Sequence, residues 1–175
     1  MRSLSPRPSR RDVLRRFSLL ALAVPASGCY NIRAPFDQTV KTVYVPTFRT
    51  LSFRREIQFQ LDELVIKEIE KRTPYKVVGT PEEGDTILEG TISYSEKNIV
   101  VESPFNLPRQ LTATIMATVK WTHNPPKDYE RNIQPVMIAE TVNFEPEIGE
   151  GTQTAFYHAA QNLATQIVDM MEQPW

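Results

Sequence analysis

The chain has 175 residues, 41% hydrophobic and 23% charged, with 14 Pro and 6 Gly, a composition that suits one ordinary globular domain. The formal net charge of −1 hides an asymmetry: Arg2, Arg7, Arg10, Arg11, Arg15 and Arg16 precede Cys29 with one acid, Asp12, and the remainder holds 14 basic and 20 acidic residues, a net of −6. That balance, without a basic run, argues against nucleic-acid binding, and a single cysteine excludes an intrachain disulfide or a cysteine-based zinc site.

Residues 1–28 read as a cleaved signal segment. An arginine-rich region is followed by a short apolar stretch, Phe17 to Val24, and then small residues. About eight apolar residues are too few to span a ~30 Å hydrocarbon core. Ser9-Arg10-Arg11-Asp12-Val13-Leu14-Arg15 resembles the twin-arginine export motif, with Arg10 and Arg11 as its pair. An arginine-rich general secretory signal fits the same residues. Ala26-Ser27-Gly28-Cys29 resembles a bacterial lipobox, with Ala26 where Leu is commoner. Small residues let a peptidase reach the backbone, and the Cys29 thiol would accept the lipid. Two or three lipid chains make such an anchor stable.

Residues 29–39 read as a lipidated tether and 40–175 as a single α/β domain. Val40 to Val45 is rich in β-branched residues and predicts a first strand. In Ser52–Pro74, Ile57, Leu61, Leu64, Val65 and Ile69 recur at helical spacing, so one face is aliphatic. Glu63 with Lys67, and Glu68 with Arg72, stand four apart with the acid first, the better order on a helix. Ser52 is the expected N-cap, and Pro74 stops the helix by Thr73.

Tyr75 to Val78 predicts a short strand and Gly79 to Gly84 a turn. Thr86 to Val101 is extended, with Leu88, Gly90, Ile92 and Tyr94 expected on one side. Glu102 to Gln110 holds two prolines and predicts a loop. Leu111 to His123 alternates Leu, Ala, Ile, Ala, Val and Trp against Thr, Thr, Met, Thr, Lys and Thr. Thirteen residues span roughly 43 Å, more than a usual strand, so one end of its hairpin should project past the core. Val136 to Phe144 predicts a last strand with Val136, Ile138, Val142 and Phe144 on one face. Thr152 is the expected cap of a closing helix whose apolar face is Phe156, Ala160, Leu163, Ile167 and Met171. The polar face of that helix is mostly amide, which fits either a partner or plain solvation.

The predicted order is β-α-β-β-β-β-α. It implies an α+β two-layer sandwich, two helices on one face of a four- to five-stranded mixed sheet. His123 and His158 fall on different elements without metal-ligand spacing, so no metal is expected. Glu145, Glu147 and Glu150 lie in a Gly-flanked connection with no sign of the burial that tunes a catalytic carboxylate. No phosphate loop or nucleophile elbow is present. The expectation is a protein that is not an enzyme and takes no cofactor.

Several motifs then coincide. They are the lipobox at Cys29, the strand VYVPTF, the stretch SFRREIQFQLDELVIKEIEKRTPYKVV, the strand DTILEGTI and the closing helix ending IVDMMEQPW. Together they resemble the lipopolysaccharide-assembly lipoprotein family LptE. The resemblance implies a two-layer α/β domain anchored on the periplasmic side of the outer membrane. It also implies a partner, an outer-membrane β-barrel translocon of the LptD kind, and a role in inserting lipopolysaccharide. A generic structural lipoprotein of the envelope, without glycolipid binding, is the alternative. The residues expected to meet a phosphorylated amphiphile are Lys97 and Arg109, with Phe105 and Leu107 against its acyl chains. Lys127 and Arg131 are the competing cations, placed among acids.

Overall fold

The computed structural model describes residues 36–102, 104 and 108–172. Cys29, Arg10, Arg11, Phe105 and Leu107 therefore lie outside the described residues. Strands β1 (Thr42–Tyr44) and β2 (Arg49–Thr50) precede helix α1 (Arg55–Arg72). Strands β3 (Lys76–Val78), β4 (Thr86–Glu102), β5 (Pro108–His123) and β6 (Val136–Phe144) follow, and helix α2 (Thr152–Asp169) closes the order. The sheet runs β3-β1-β4-β5-β6, with β2 added beside β4. β1 lies parallel to β3 and β4, while β4, β5 and β6 form an antiparallel meander. Two helices on a mixed six-stranded sheet give the two-layer α+β fold, with one more strand than the sequence suggests. The extra strand, β2, is only two residues long, below what periodicity can register.

Helix α1 buries Ile57, Leu61, Val65 and Ile69, with Leu64 packed at the margin. Each buried side chain contributes about 1.5–3 kcal/mol relative to exposure. Lys67 Nζ meets Glu63 Oε1 at 2.7 Å on the solvent side, and Arg72 lies 3.7 Å from Glu68 Oε1. Arg72 also donates to Asp169 Oδ1 and reaches Glu172 Oε1 at 3.5 Å, tying together the carboxyl ends of the two helices. At the other end the Arg54 guanidinium lies 4.8 Å from the centre of the Phe156 ring. The helices thus run side by side in the same direction.

Ser52 does not cap α1. The helix starts after Arg54, without a side-chain cap, and the Ser52 hydroxyl instead meets the hydroxyl of Ser95 on β4. Nor does Thr152 cap α2: it is the first helical residue, and Gly151 holds the cap position. The predicted face of β4 also changes part-way. A register irregularity between Ile92 and Tyr94 turns the strand over, so Ser95 is buried and Tyr94 pairs with half-exposed Met116. On β6, Ile138 and Phe144 are buried as the alternation requires, whereas Val136 at the strand's start is 46% exposed.

Phe48, directly before β2, ties the sheet to α1. Its ring lies on Gly90, where an added Cβ would come within 2.5 Å of it. Its amide donates to Asp62 Oδ1 of α1 at 3.0 Å. Burial pushes the Asp62 carboxyl up to about 6, against the lowering effect of that hydrogen bond. At the far end Phe36 is buried, its ring edge-on to Tyr75 at 5.9 Å, and Tyr75 lies 6.1 Å from Trp121.

The burial pattern of α1 carries one prediction. Leu61→Asp puts an unpaired charge at a fully buried position and should abolish cooperative folding. Glu63→Ala removes only an exposed pair and should leave the melting temperature nearly unchanged. Thermal melts of the two variants check the assigned face, and equal melting temperatures would refute it.

A second prediction concerns pH. The folded Asp62 pKa lies above its ordinary value, so between about pH 4 and pH 6 the folded state binds more protons than the unfolded one. Its contribution to stability is therefore lost as pH rises through that window. Asp62→Asn keeps an acceptor for the Phe48 amide and cannot ionise. At pH 7.5 it should be more stable than the parent by about 1–2 kcal/mol, allowing for partial exposure, and the gain should vanish near pH 4. Denaturant melts at the two pH values measure this.

Candidate functional site

β4 and β5 are 17 and 16 residues long. Along β4, Thr86, Leu88, Ile92 and Ser95 are buried among partly or fully exposed residues, and from Glu96 to Glu102 every residue is exposed. From Glu96 on, the β4 side of the hairpin is thus uncovered, whereas Ala113 and Leu111 of β5, opposite Lys97 and Ile99, stay buried and paired to β6, and only the end past Leu111 projects beyond β6. Both strands are rich in β-branched and hydroxyl side chains, and their antiparallel ladder runs on to Glu102 opposite Pro108.

The projecting part is amphiphilic. Ile99, Val100 and Val101 are 52%, 56% and 43% exposed. Lys97 pairs in register with Ala113, and Arg109 lies beside Gln110, which pairs with Val101. The two cations are therefore four residues apart along β5, about 13 Å, with the apolar run between them. They share a hairpin and flank an apolar surface, but they do not converge on one point. Arg109 Nε is 3.6 Å from Glu147 Oε1 in the short turn Pro146–Ile148 that leads into α2. Lys97 forms no ion pair among the described residues.

More exposed apolar surface lies at the same end. Leu51 is 76% and Phe53 fully exposed, on the segment whose Leu51 amide donates to Ile92 O and whose Ser52 touches Ser95. The sequence offered signals for both groups. Ile99-Val100-Val101 is an unbroken apolar run where a half-buried strand should alternate, and Leu51 and Phe53 fall outside the helical stripe.

The competing cations are engaged elsewhere. Lys127 Nζ lies 2.8 Å from His123 Nε2, and His123 Nδ1 meets the buried carboxylate of Glu130. Glu130 also accepts the backbone amides of His123 and Lys127, both at 3.0 Å. Hydrogen bonds from Lys127 and His123 hold the Glu130 carboxyl below its ordinary range despite its burial. Arg131 pairs with Asp128 at 3.5 Å. This cluster folds the β5–β6 loop on itself.

Two of the three acids of the connection into α2 have structural partners. Glu150 Oε2 accepts the Glu145 amide at 2.7 Å, and Glu147 holds Arg109. The amides of α2 are engaged as well: Asn162 Nδ2 and Gln166 Nε2 donate to the two oxygens of Glu140 on β6, at 3.0 and 2.6 Å. No helix among the described residues is long and apolar enough to cross a membrane.

Comparison with known proteins settles the relationship. A family model described as LptE, lipopolysaccharide-assembly, matches residues 40–171. The chain belongs to this family. The LptE match takes in all six strands and both helices, with the hairpin inside it. Solved structures share the fold at low identity. Lipoprotein B from Nitrosomonas europaea aligns with a TM-score of 0.50 at 14% identity, over 74% of this chain and 81% of that one. A protein from Xanthomonas campestris aligns at 0.51 and 13%, over 79% and 86%. A Chlamydia trachomatis protein aligns at 0.50 and 9%, over 75% and 95%. A search of curated proteins finds no match.

Proposed function

We propose that this LptE-family protein is a non-enzymatic lipoprotein, anchored on the periplasmic side of the outer membrane through Cys29. It partners a β-barrel translocon, and its β4–β5 hairpin meets lipopolysaccharide. The observation that carries the reading is the family match over residues 40–171. The geometry is consistent with it. The described chain begins at Phe36, against Tyr75 and Trp121, and Trp121 pairs with Leu88 at the base of β4. From there to Glu102 the strand rises about 45 Å. An anchor at one end and an amphiphilic tip at the other would carry acyl-chain and phosphate contacts well away from the bilayer surface.

At the tip, exposed Ile99, Val100 and Val101 suit acyl chains, together with Phe105 and Leu107 of the connecting loop. Lys97 and Arg109 suit phosphates, Lys97 as a point charge and Arg109 after giving up Glu147. Of the carboxylates that could have suggested catalysis, Glu150 holds backbone and Glu147 holds Arg109, which supports a binding role over a chemical one.

Cys29→Ala should release the protein from the membrane into the soluble periplasmic fraction. Immunoblots of fractionated cells read this, and retention at the parent level would exclude the anchor.

The double change Lys97→Glu and Arg109→Glu should weaken lipopolysaccharide binding roughly tenfold or more at low salt, with a smaller effect at high salt. Its melting temperature should fall only slightly, because the one ion pair lost is exposed. Titration of lipopolysaccharide into the purified protein measures the effect. Unchanged binding would remove the hairpin as the site. No detectable binding by the parent protein would favour the structural alternative, a plug for the barrel partner.

A further inference from the structure

We propose that residues 51–55 are a second contact surface for the phosphorylated amphiphile and form one site with Lys97 and Ile99 of β4. This rests on the proposed glycolipid-binding function and adds residues to it. The segment joins β2 to α1 and reads Leu-Ser-Phe-Arg-Arg. Leu51 is 76% exposed and Phe53 fully so, and neither belongs to the stripe with which α1 packs on the sheet. Large apolar side chains grouped in water and rimmed by charge mark a contact surface.

Strand pairing brings this surface to Lys97. The Leu51 amide donates to Ile92 O at 2.9 Å, and the Ser52 and Ser95 hydroxyls meet. Ser95, Lys97 and Ile99 stand opposite Ile115, Ala113 and Leu111 without a break in register. Residues directly opposite in an antiparallel ladder share a face. The three β5 residues are buried in the core, so Lys97 and Ile99 lie on the helix side of the sheet, yet both are exposed. Lys97 and Arg54 are each two residues from the Ser52–Ser95 contact, about 7 Å of extended chain. Cations and apolar side chains from two separate segments thus border one stretch of sheet.

Charge and apolar area together select the ligand. The chain after Cys29 carries a net −6, yet residues 51–55 hold two arginines and no acid. Arg55 and Lys97 form no ion pair among the described residues. Arg54 lies over the Phe156 ring with Glu56 at 3.9 Å, a long contact that a phosphate can displace. Glu96 is one residue out of step with Lys97, so it points to the other face of the sheet. A free anion would use the cations and leave Leu51, Phe53 and Ile99 in water. An uncharged apolar ligand would leave the cations unused. An amphiphile with phosphates beside acyl chains uses both, and arginine suits it because its weakly hydrated fork binds phosphate next to apolar surface.

The experiment uses the full chain with Cys29→Ala and lipopolysaccharide as the probe. Arg54→Glu with Arg55→Glu should weaken binding roughly tenfold or more at low salt and less at high salt. Arg55→Glu alone, which leaves the Phe156 contact in place, should give part of that loss. Leu51→Ser with Phe53→Ser should weaken binding severalfold at both salt levels, because apolar contact is not screened. Circular dichroism should match the parent in each case. A benzophenone side chain placed at Phe53 should crosslink to lipopolysaccharide, and one at Tyr129, exposed in the β5–β6 loop at the other end of β5, should not. Inorganic phosphate should not compete. Binding that falls with Lys97→Glu and Arg109→Glu but is unchanged by these variants overturns this proposal and leaves the hairpin reading standing. Equal crosslinking at Tyr129, or a Phe53 probe that captures only a protein in cells, overturns it as well. No binding by the parent overturns both.

Discussion

Gly90 has no side chain, and the Phe48 ring occupies the space one would fill. That contact sets where α1 can lie. Phe48 directly precedes β2, its ring lies on Gly90 of β4, and its amide is held by Asp62 from the helix, so ring, strand and helix are fixed at one point. From there the stripe Ile57, Leu61, Val65 and Ile69 falls onto the sheet without adjustment. The cost is a half-buried carboxylate. The fold accepts it because the Phe48 amide would otherwise be left without a partner.

The rest of the helix layer is secured at its corners. Arg72 gathers the carboxyl ends of α1 and α2, Arg54 stacks on Phe156 at the amino ends, and Glu140 draws α2 down onto β6. Small side chains at Ala155, Ala159, Ala160 and Ala164 let α2 approach closely. The layer is complete by the time the sheet reaches Ser95. Beyond it β4 is uncovered while β5 still buries Ala113 and Leu111, and the exposed Ile99, Val100 and Val101 have no role in the core.

Much of this was legible in the sequence. The stripe of α1, the alternation of β5 and the apolar face of α2 are long, strongly periodic segments, and each fell where the periodicity put it. What escaped depends on contacts between distant residues. Ser52 has the chemistry of a cap, but Ser95 is nearer, and nothing local announces that. The turn-over of β4 after Ile92 is a register irregularity set by pairing with β5. The amides of α2 look like an unassigned surface until Glu140 is seen beneath them. At the tip, Lys97 and Arg109 were found as cations, but the apolar surface between them lies in β4 itself, and the Glu147 pairing of Arg109 depends on the return of the chain into α2.

The parallel pairing of β1 has a consequence for the order of assembly. β4 and β5 meet across a short connection, with Glu102 opposite Pro108, so their ladder can zip from a local start. β1 joins β3 only after α1 has crossed between them, and then joins β4, with Val43 opposite Thr86. Closing those loops costs chain entropy before any contact repays it. The meander should thus form early, and the corner holding β1, Tyr75 and Phe36 should form last. That late corner is also where the chain enters the domain from its amino-terminal side, so tension on residues before Phe36 would be felt first by the least local part of the fold, while the hairpin at the far end stayed intact.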